Sequence, residues 1–567
     1  MVFAAVGAAG QGQPPPTPLI TNEVFVVFRS GPTTASVSSQ LAGRTVPLST
    51  GGYAATVPLQ LDETLAEALK RWGATPGVAQ VVPNIWVHKV GFAAAASASA
   101  SSGSAVAAAS GFRFDWPDDT YVKDGHGWGL ERISVGYAWG ASVTGRSSPA
   151  RICVVDTGID YNHTDFVYGL WGPARIVGGA SYLQVNNSTR FTDGLDAAMD
   201  YDGHGTAVAA LVAGLRNRVG TVGLMYGGVE LLACKFMDVG GYGKTSDAYM
   251  CLDWCRGQGA QISVNSWGVN VGSTILGTVS DLGSNAAAFD AIRSLLLSWG
   301  RDHLFVTAAG NERKLLHPQG PLLEPYFFLP AQLNLDNMLV VAATNEDDEP
   351  WEEGADLGTN QGSDWVHIAA PGVDLMSAKI KAPGATKYEW VEVTGTSFAA
   401  PLVAGAAGLV WGAMTDLGLD PNMLTVRDKI LVGADAVPIL SARLSDGQSY
   451  VAGGRRLNVY HALSAVDASR FPRLPPDLPP RPPPPAKRPR PPPPRRSPQK
   501  SKPPPPPPRK KLPRLGYGKT AAPPPPACGA GQFFDGARCR SCTVFRLDCV
   551  ACSRRGCLQL SGRLART

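Results

Sequence analysis

The sequence predicts an α/β protein with a buried, mostly parallel central sheet and helices on both of its faces. Six short apolar runs rich in β-branched residues recur along the chain, and helix-like segments separate many of them. Strands that are apolar throughout are typical of parallel sheets covered on both sides. The runs are residues 151–156, 231–236, 261–268, 303–311, 338–344 and 365–372.

Length and composition leave room for a large core. The chain has 567 residues, of which 44% are hydrophobic and 17% charged, enough for one large core or two to four domains. The net charge of +5 comes from Lys and Arg in a proline-rich tail, around 487–496 and 508–511. The charge therefore gives no reason to expect a nucleic-acid partner for the folded part. The longest apolar stretch, 402–414, is shorter than a membrane span, so we expect none.

Composition divides the chain into six parts. A strand-like alternation at 22–31, a helix with an acidic first turn at 62–73 and a strand bent at Pro83 indicate a small α/β unit near the N-terminus. An Ala/Ser/Gly-rich stretch is expected to be an exposed, cleavable connector, and a Pro/Lys/Arg-rich stretch an extended polyproline II segment. The predicted parts are an N-terminal segment that is an ambiguous secretion signal (1–20), the small unit (21–90), a linker (91–112), the main α/β domain (113–468), the proline-rich segment (469–527) and a cysteine-rich module (528–567).

The cysteines favour an oxidising compartment. Six of the ten lie in the last 40 residues, a density typical of disulfide-bonded secreted modules. Two C-x2-C pairs also suggest zinc, but their spacing is shorter than in a zinc ribbon and two cysteines are left over. The disulfide pairing stays open. Cys153 and Cys234 are expected in the core, and Cys251 and Cys255, four apart on a helix, are poorly placed to bond each other.

An acid at the end of a buried strand opens the question of chemistry. RICVVD ends at Asp156 and is followed by Thr157 and Gly158. A D-T-G turn of this kind occurs in proteases that pair two aspartates, and in proteases where one aspartate orients a histidine beside a serine. The first kind needs a second D-[TS]-G, and none follows Asp156. The second kind is therefore favoured.

The required partners follow in the chain. His204 stands in DGHGTAVAALVAG, and Ser397 stands in GTSFAAPLVAG at the head of an apolar helix, where free N–H groups stabilise negative charge. The order Asp, His, Ser is that of subtilisin. A second D-G-H-G contains His126, which lacks the following Thr and small-residue helix and is assigned no role.

On these motifs the chain resembles the subtilisin-like serine proteases (subtilases) with an inhibitory propeptide. The blocks VVDTGIDYNHTDF, DGHGTAVAALVAG, SVNSWG with VTAAGNE, and GTSFAAPLVAG carry the resemblance, and PGVAQVVPN is similar to the end of the propeptide. It covers residues 21–468. It implies a three-layer α/β/α subtilisin-like fold preceded by a small α+β propeptide domain, made as a zymogen of a serine endopeptidase.

The resemblance also implies residue roles. Ser397 is the nucleophile, His204 the general base and acid, and Asp156 orients and stabilises the imidazole. Asn311 is the oxyanion-hole amide, together with the Ser397 N–H. A substrate strand is expected to pair with one edge of the cleft and to face the specificity pocket, and Glu312 at its rim either favours a basic side chain or is an ordinary surface glutamate. The substrate-binding set is Ser266, Trp267, Gly268, Ala308, Ala309, Gly310 and Glu312.

A structural calcium site is a further expectation from the resemblance. Oxygen ligands from separate segments suit this hard cation, although Arg216 and Arg218 add unfavourable charge. The expected ligands are Asp124, Asp165, Leu215, Asn217, Val219 and Thr221. No cofactor is needed for the chemistry itself.

Partners and location follow from the same assignment. We expect polypeptide substrates, the propeptide as an intramolecular inhibitor, and secretion to the extracellular space or cell wall. The tail fits an extracellular-matrix anchor, a P-x-x-P ligand for signalling domains, or a basic nuclear signal. The rival class is an inactive subtilase-fold binding protein. A nucleotide-binding α/β protein is disfavoured because no G-x-G-x-x-G follows the first strand.

Overall fold

The fold is described from a computed structural model, in two compact units, Met1–Arg490 and Pro491–Thr567. The described residues are 20–29, 41, 45–90, 92–94, 112–144, 147–167, 175–185, 188–189, 191–270, 293–294, 296–297, 299–316, 328–333, 335–444, 446–475, 532–534, 539–541, 549–553 and 556–560. The predicted N-terminal segment, most of the linker, the proline-rich segment from 476 and most of the cysteine-rich module lie outside them.

A ten-stranded sheet forms the centre of the first unit and confirms the predicted α/β class. Its order is β10-β7-β11-β6-β13-β15-β17-β20-β24-β23; the eight inner strands run parallel, and only the two edge strands pair antiparallel. The strands are β6 (Arg151–Asp156), β7 (Arg175–Ser181), β10 (Thr192–Asp193), β11 (Glu230–Lys235), β13 (Ile262–Asn265), β15 (Leu304–Ala308), β17 (Met338–Thr344), β20 (Ile368–Pro371), β23 (Asp435–Ala436) and β24 (Arg455–Arg456).

Helices cover both faces of this sheet. Alternate side chains of β6 enter different cores: Ile152 and Val154 join one, Cys153 and Val155 the other, as the two-residue period of a strand requires. The helices are α1 (Leu65–Gly73), α2 (Trp128–Arg132), α3 (Val135–Gly140), α4 (Thr164–Val167), α5 (His204–Ala213), α6 (Thr245–Gly257), α7 (Thr396–Asp416), α8 (Met423–Gly433) and α9 (Val459–Val466). Short helical turns lie at Val122–His126, Leu195–Ala198, Gly300–Asp302, Ala331–Leu333, Pro438–Ser441 and Ala452–Gly454.

Helix α7 is long and apolar enough to cross a membrane. However, 89% of its most apolar window is buried inside the protein. It packs in the first of the two cores with α5 and the strands, which explains its composition without a bilayer.

Residues 20–90 fold around a third, smaller core. Strands β1 (Ile20–Phe28), β2 (Thr45–Pro47), β3 (Tyr53–Pro58) and β4 (Val78–Lys89) pair antiparallel in the order β4-β1-β3-β2. Helix α1 begins with a capping box between Thr64 and Glu67 and buries Trp72 against the sheet. Strand β4 also pairs with the main domain, as described below.

Two disulfides cross-link the second core. Cys153 bonds Cys255, and Cys234 bonds Cys251. The expectation of simple core cysteines was therefore incomplete. Cys153 and Cys234 face the same side of adjacent strands, and Cys251 and Cys255 lie one turn apart on the helix α6 that covers that side. The spacing that prevents the helical cysteines from bonding each other lets each reach a different strand.

The remaining strands are short. They are β5 (Phe92–Ala94), β8 (Gln184–Val185), β9 (Ser188–Thr189), β12 (Tyr242–Lys244), β14 (Trp267–Asn270), β16 (Phe328–Leu329), β18 (Glu352–Glu353), β19 (Leu357–Gly358), β21 (Leu375–Lys379) and β22 (Glu389–Thr394). In the second unit, β25 (Gln532–Phe534) pairs antiparallel with β26 (Cys539–Ser541), and β27 (Cys549–Ser553) with β28 (Gly556–Leu560). The choice between disulfides and zinc there concerns side chains outside the described part of the chain.

Candidate active site

Asp156 is fixed at the end of a central strand. It is fully buried, and its Oδ1 accepts the backbone N–H of Thr157 at 2.7 Å. The following Gly158 has φ +108°, and a Cβ atom there would lie 2.3 Å from the Ala198 carbonyl oxygen. Only glycine fits this turn, which brings the chain away from the sheet directly behind the carboxylate.

His204 lies at the start of α5 and contacts that carboxylate. Its Nδ1 is 2.8 Å from Asp156 Oδ1 and 3.0 Å from Oδ2. Burial lowers the pKa of His204, but the charge and hydrogen bond of Asp156 outweigh it, so that the net shift is upward. The pair therefore holds the imidazole with its Nδ1–H toward the acid and its Nε2 free to face the cleft.

Ser397 is the second residue of α7 and is fully buried. Its hydroxyl donates to the Ser266 carbonyl oxygen at 3.0 Å, and the Ser266 hydroxyl donates to the Ser397 carbonyl oxygen at 2.8 Å. That carbonyl is available because Pro401, four residues on, has no N–H to offer it. Among the described residues no hydrogen bond joins Ser397 to His204, although the ring of the adjacent Phe398 lies 5.4 Å from the imidazole ring.

Asn311 lies beside the start of α7. Its Oδ1 accepts two hydrogen bonds from Thr396, from the backbone N–H at 3.0 Å and from the hydroxyl at 2.8 Å. Because Thr396 occupies the oxygen, the amide NH2 is the group left to donate. Thr396 thus fixes which way round the amide sits, a role that the motif alone did not reveal.

The cleft beside these groups is filled by strand β4. It pairs antiparallel with β12 on one side and β14 on the other, with His88 opposite both Tyr242 and Gly268. At the end of the strand, the Lys89 N–H donates to Gly241 O at 2.9 Å, and just after it the Val90 N–H donates to Ser266 O at 3.1 Å. This is an extended peptide held by main-chain hydrogen bonds on both edges.

Val90 brings its carbonyl group to His204. The Val90 carbonyl oxygen is 3.3 Å from His204 Nε2. Shortly after, β5 pairs antiparallel with β22, with Phe92 opposite Thr394, three residues before Ser397. The chain therefore enters the cleft on one side of His204 and leaves it along the strand that leads to α7.

A profile of the subtilase family matches residues 148–449, more than half of the chain. The chain belongs to the subtilase family. It is therefore a serine endopeptidase by descent, and the subtilisin-like fold class predicted above is confirmed.

Several curated relatives agree. The thermophilic serine proteinase of Bacillus sp. (strain AK1) is 28% identical over 408 residues, covering 71% of this chain and 84% of the relative. Subtilisin Savinase of Lederbergia lenta is 29% identical over 283 residues, covering 50% of this chain and 83% of the relative. Subtilisin-like protease 1 of Plasmodium berghei (strain Anka) is 24% identical over 361 residues, covering 60% of this chain but only 54% of the relative.

In this subtilase three of the predicted substrate-binding residues, Ser266, Trp267 and Gly268, line the end of β4. Ser266 and Gly268 contact it as described, and Trp267 lies opposite Lys89. Ala308, Ala309 and Gly310 are buried at the end of β15. Glu312 accepts a hydrogen bond from Asn360 Nδ2 at 2.8 Å, so it is not a simple solvated surface glutamate. Whether it selects basic side chains stays a prediction.

Phe328 was not foreseen. A Cβ atom at Gly268 would lie 2.4 Å from its Cζ, and one at Gly310 3.0 Å from the same atom. The tip of this buried ring therefore touches both glycine walls of the predicted specificity pocket. Phe328 is separated from both by long stretches of chain, and the sequence held no local signal for this contact.

The expected calcium region contains two unsatisfied carboxylate oxygens. Within the described ranges, Asp119 Oδ2 and Asp165 Oδ1 are buried and have no hydrogen-bond partner. Asp119 Oδ1 accepts the N–H groups of Asn217 and Arg218 at 2.8 and 2.9 Å, whereas Asp124 lies on the Val122–His126 turn. Asp119, which sequence reasoning missed, therefore bonds the 215–221 loop directly.

The other predicted ligands of this region lie on that loop or beside it. Asn217 Oδ1 accepts the Val219 N–H at 2.9 Å, and Leu215 donates its N–H to the Asp165 carbonyl oxygen at 2.8 Å. Trp390 Nε1 donates to Asp165 Oδ2 at 2.6 Å. The described residues contain no group of three or more His, Cys, Asp or Glu side chains placed to share a metal. Any cation would therefore rely on carbonyl and amide oxygens as well.

The arginines of the loop have acidic partners of their own. Arg216 Nη1 is 2.8 Å from Asp115 Oδ2, and Arg218 Nε is 3.3 Å from Asp118 Oδ2. These contacts answer the concern that the two cations would repel calcium. The second D-G-H-G histidine, His126, lies 3.7 Å from Glu392 rather than beside Asp156.

Proposed function

We propose that the chain is the zymogen of a secreted endopeptidase that cuts its own Val90–Gly91 bond with Asp156, His204 and Ser397. One observation carries the proposal: a strand lies in the cleft in the manner of a substrate, with the Val90 carbonyl oxygen 3.3 Å from His204 Nε2. The residue after Val90 lies outside the described residues, and the pairing of Phe92 with Thr394 supports passage of the chain across the nucleophile.

The chemistry follows from the groups present. Rotation about the Cα–Cβ bond of Ser397 takes its hydroxyl from Ser266 O to His204 Nε2. The oxygen then attacks the Val90 carbonyl carbon while Nε2 takes the proton, and the imidazolium is stabilised by Asp156. The Val90 carbonyl oxygen, which faces His204 Nε2 in the precursor, turns toward the Asn311 amide and the Ser397 N–H, and these two donors bind the oxyanion. The C–N bond breaks as Nε2 returns the proton to the leaving amine, and water hydrolyses the acyl-enzyme by the same steps in reverse.

Residues 21–90 are proposed as the intramolecular inhibitor. Their contacts with the catalytic domain are polar as well as apolar: Glu23 is 2.7 Å from Lys244 with both side chains buried, and Ser49 donates two hydrogen bonds of 2.8 Å to Asp253. Removing one partner of a buried ion pair costs about 3–5 kcal/mol. A domain held in this way would stay in the cleft after its last bond is cut.

The position of the first cut tests this proposal. We expect purified wild-type protein to contain a chain that begins at Gly91, and the Ser397→Ala protein to stay uncut, both by intact-mass and N-terminal peptide analysis. Asp193→Asn, an exposed acid on the edge strand β10, serves as the control and should process normally. A wild-type chain that is cut elsewhere, or a Ser397→Ala chain that is still cut at Gly91, contradicts the proposal.

We also propose a structural calcium ion held by Asp119 and Asp165 with oxygens of Asn217, Leu215, Val219 and Thr221. The buried, unpartnered carboxylate oxygens fit such a cation, because leaving them unpaired is costly. When bound, the ion would neutralise these acids and tie the 215–221 loop to the N-terminal part of the domain. A chelator should lower the melting temperature of the wild-type protein, and Asp165→Asn should remove that response. An equal melting temperature with and without chelator contradicts the site.

Secretion to the extracellular space or cell wall is proposed from the two disulfides of the main domain, since such bonds persist in oxidising compartments. The protein should be recovered outside its producing cells with no free thiol at the four positions.

The proposed attachment of the proline-rich tail to an extracellular matrix predicts that a chain truncated after residue 468 is released into solution.

A further inference from the structure

We infer that Asp202 selects a lysine or arginine as the residue immediately before the one whose carbonyl is attacked. The inference rests on the proposed function, because it takes the position of Val90 as that of the attacked residue. It gives the substrates a chemical class: extended polypeptides that are basic at this position.

The inference rests on a contact between Lys89 and Asp202. Lys89 Nζ is 2.7 Å from Asp202 Oδ1 and 2.6 Å from Oδ2, and the two side chains are 29% and 8% exposed. The ammonium group therefore reaches both oxygens of a largely buried carboxylate. Hydrogen bonds between two charged groups are shorter and stronger than neutral ones, and partial burial reduces their screening by water.

The carboxylate is also held by hydrogen bonds within its own loop. Asp202 Oδ1 accepts the His204 N–H at 3.1 Å. Asp200, itself buried, accepts the N–H groups of Asp202 and Gly203 at 2.9 and 3.0 Å. An acid fixed before the ligand arrives loses little freedom on binding, which favours affinity and selectivity.

The opposite wall leaves room for a long side chain. A Cβ atom at Gly241 would lie 2.6–2.8 Å from Cγ, Cδ and Cε of Lys89. Gly241 also accepts the Lys89 N–H through its carbonyl oxygen and has φ +77°, which favours glycine. The aliphatic part of the side chain thus passes over bare backbone on its way to Asp202.

The main-chain bonds make this arrangement transferable to other substrates. Lys89 and Val90 are aligned by hydrogen bonds from their backbones to Gly241 and Ser266. A different peptide that forms the same bonds brings its own side chain to the same place. The selection is therefore a property of the cleft rather than of the propeptide.

The test compares peptides that differ only at this position. The self-processed enzyme would be assayed with quenched fluorescent peptides carrying Lys, Arg, Met or Glu before a common Val. We expect kcat/KM for the Lys peptide to exceed that for the Met peptide at least tenfold, which corresponds to about 1.4 kcal/mol, with Glu poorest. In Asp202→Asn the Lys-to-Met ratio should fall to near one, and in the Asp193→Asn control it should not change.

Two results would overturn the inference: wild-type enzyme that cleaves the Lys and Met peptides equally, or a Lys preference that survives in Asp202→Asn. Wild-type enzyme that cleaves no peptide would instead overturn the proposed function.

A second measurement needs no activity. In the Ser397→Ala precursor, melting temperatures of Lys89→Met, Asp202→Asn and the double variant form a cycle. We expect the melting temperature of the double variant to fall no further than that of the less stable single variant, because each single substitution already breaks the same contact. Strictly additive losses would contradict a direct Lys89–Asp202 interaction.

Discussion

The two ring nitrogens of His204 face very different surroundings. Nδ1 is held within 3.0 Å of both oxygens of Asp156, whereas Nε2 faces the Val90 carbonyl and the Ser397 hydroxyl is bonded to Ser266. The acid and the imidazole lie on β6 and α5, two elements of one core. The Ser397 hydroxyl is bonded away from His204 while β4 fills the cleft. The difference teaches that the contact between acid and imidazole is already formed in this structure, whereas the contact between the proposed nucleophile and the imidazole is not.

The largest effect is expected from Asp156→Asn, which changes the group that bonds His204 Nδ1. The amide keeps the shape but holds the imidazole in the wrong tautomer, so we expect kcat of the processed enzyme to fall about 10⁴-fold, as in other Asp–His–Ser proteases. Peptide hydrolysis by enzyme processed in trans measures this. A fall of less than tenfold would mean that Asp156 does not orient His204.

The contacts that keep the cleft occupied are tested by Glu23→Gln in the Ser397→Ala precursor. The buried Lys244 then loses the negative charge opposite it, and we expect a loss of about 3–5 kcal/mol in the free energy of unfolding. Glu389→Gln breaks the exposed pair with Lys379 and should cost less than about 1 kcal/mol. Denaturant titration compares them, and equal losses would contradict the importance of the buried pair.

On the nucleophile side, Asn311→Ala removes one oxyanion donor. We expect kcat to fall about 10²–10³-fold with little change in KM, the magnitude known for the corresponding asparagine of subtilisin. Asn345→Ala, outside the cleft, is the matched control. A change confined to KM would assign Asn311 to substrate binding instead.

The smallest expected effect is on pH dependence. Burial lowers the pKa of His204, but the effect of Asp156 in raising it is larger, so the pKa lies above the ordinary value for histidine. A protonated imidazole cannot take the serine proton, so kcat/KM should fall as the pH drops through this pKa, with a neutral-to-alkaline optimum. Asp202 also raises this pKa, so Asp202→Asn should move the acid limb to lower pH. An optimum near pH 4 would exclude the mechanism.

Much of the fold was predictable because it depends on local pattern. Apolar, β-branched runs predicted β6, β13, β15 and β17, and their uniform burial explains why that pattern is so clear. The side chains of Asp156, His204 and Ser397 were identified from short motifs, each tied to a strand end or a helix start.

What could not be predicted are contacts between segments far apart in the sequence. Lys89 and Asp202 are 113 residues apart, and Cys153 and Cys255 are 102 apart. The contacts of Phe328 with Gly268 and of Asp119 with the 215–221 loop also join segments far apart in the sequence. The motif for Ser397 likewise gave no indication that its hydroxyl would bond Ser266, because that bond joins residues 131 apart in the sequence.

The most direct test of the central claim is covalent labelling by a fluorophosphonate, which reacts only with an activated serine. We expect processed wild-type enzyme to be labelled on the peptide containing Ser397, and the His204→Ala protein not to be labelled. Labelling that persists in Ser397→Ala, or no labelling of processed wild-type enzyme, would contradict it.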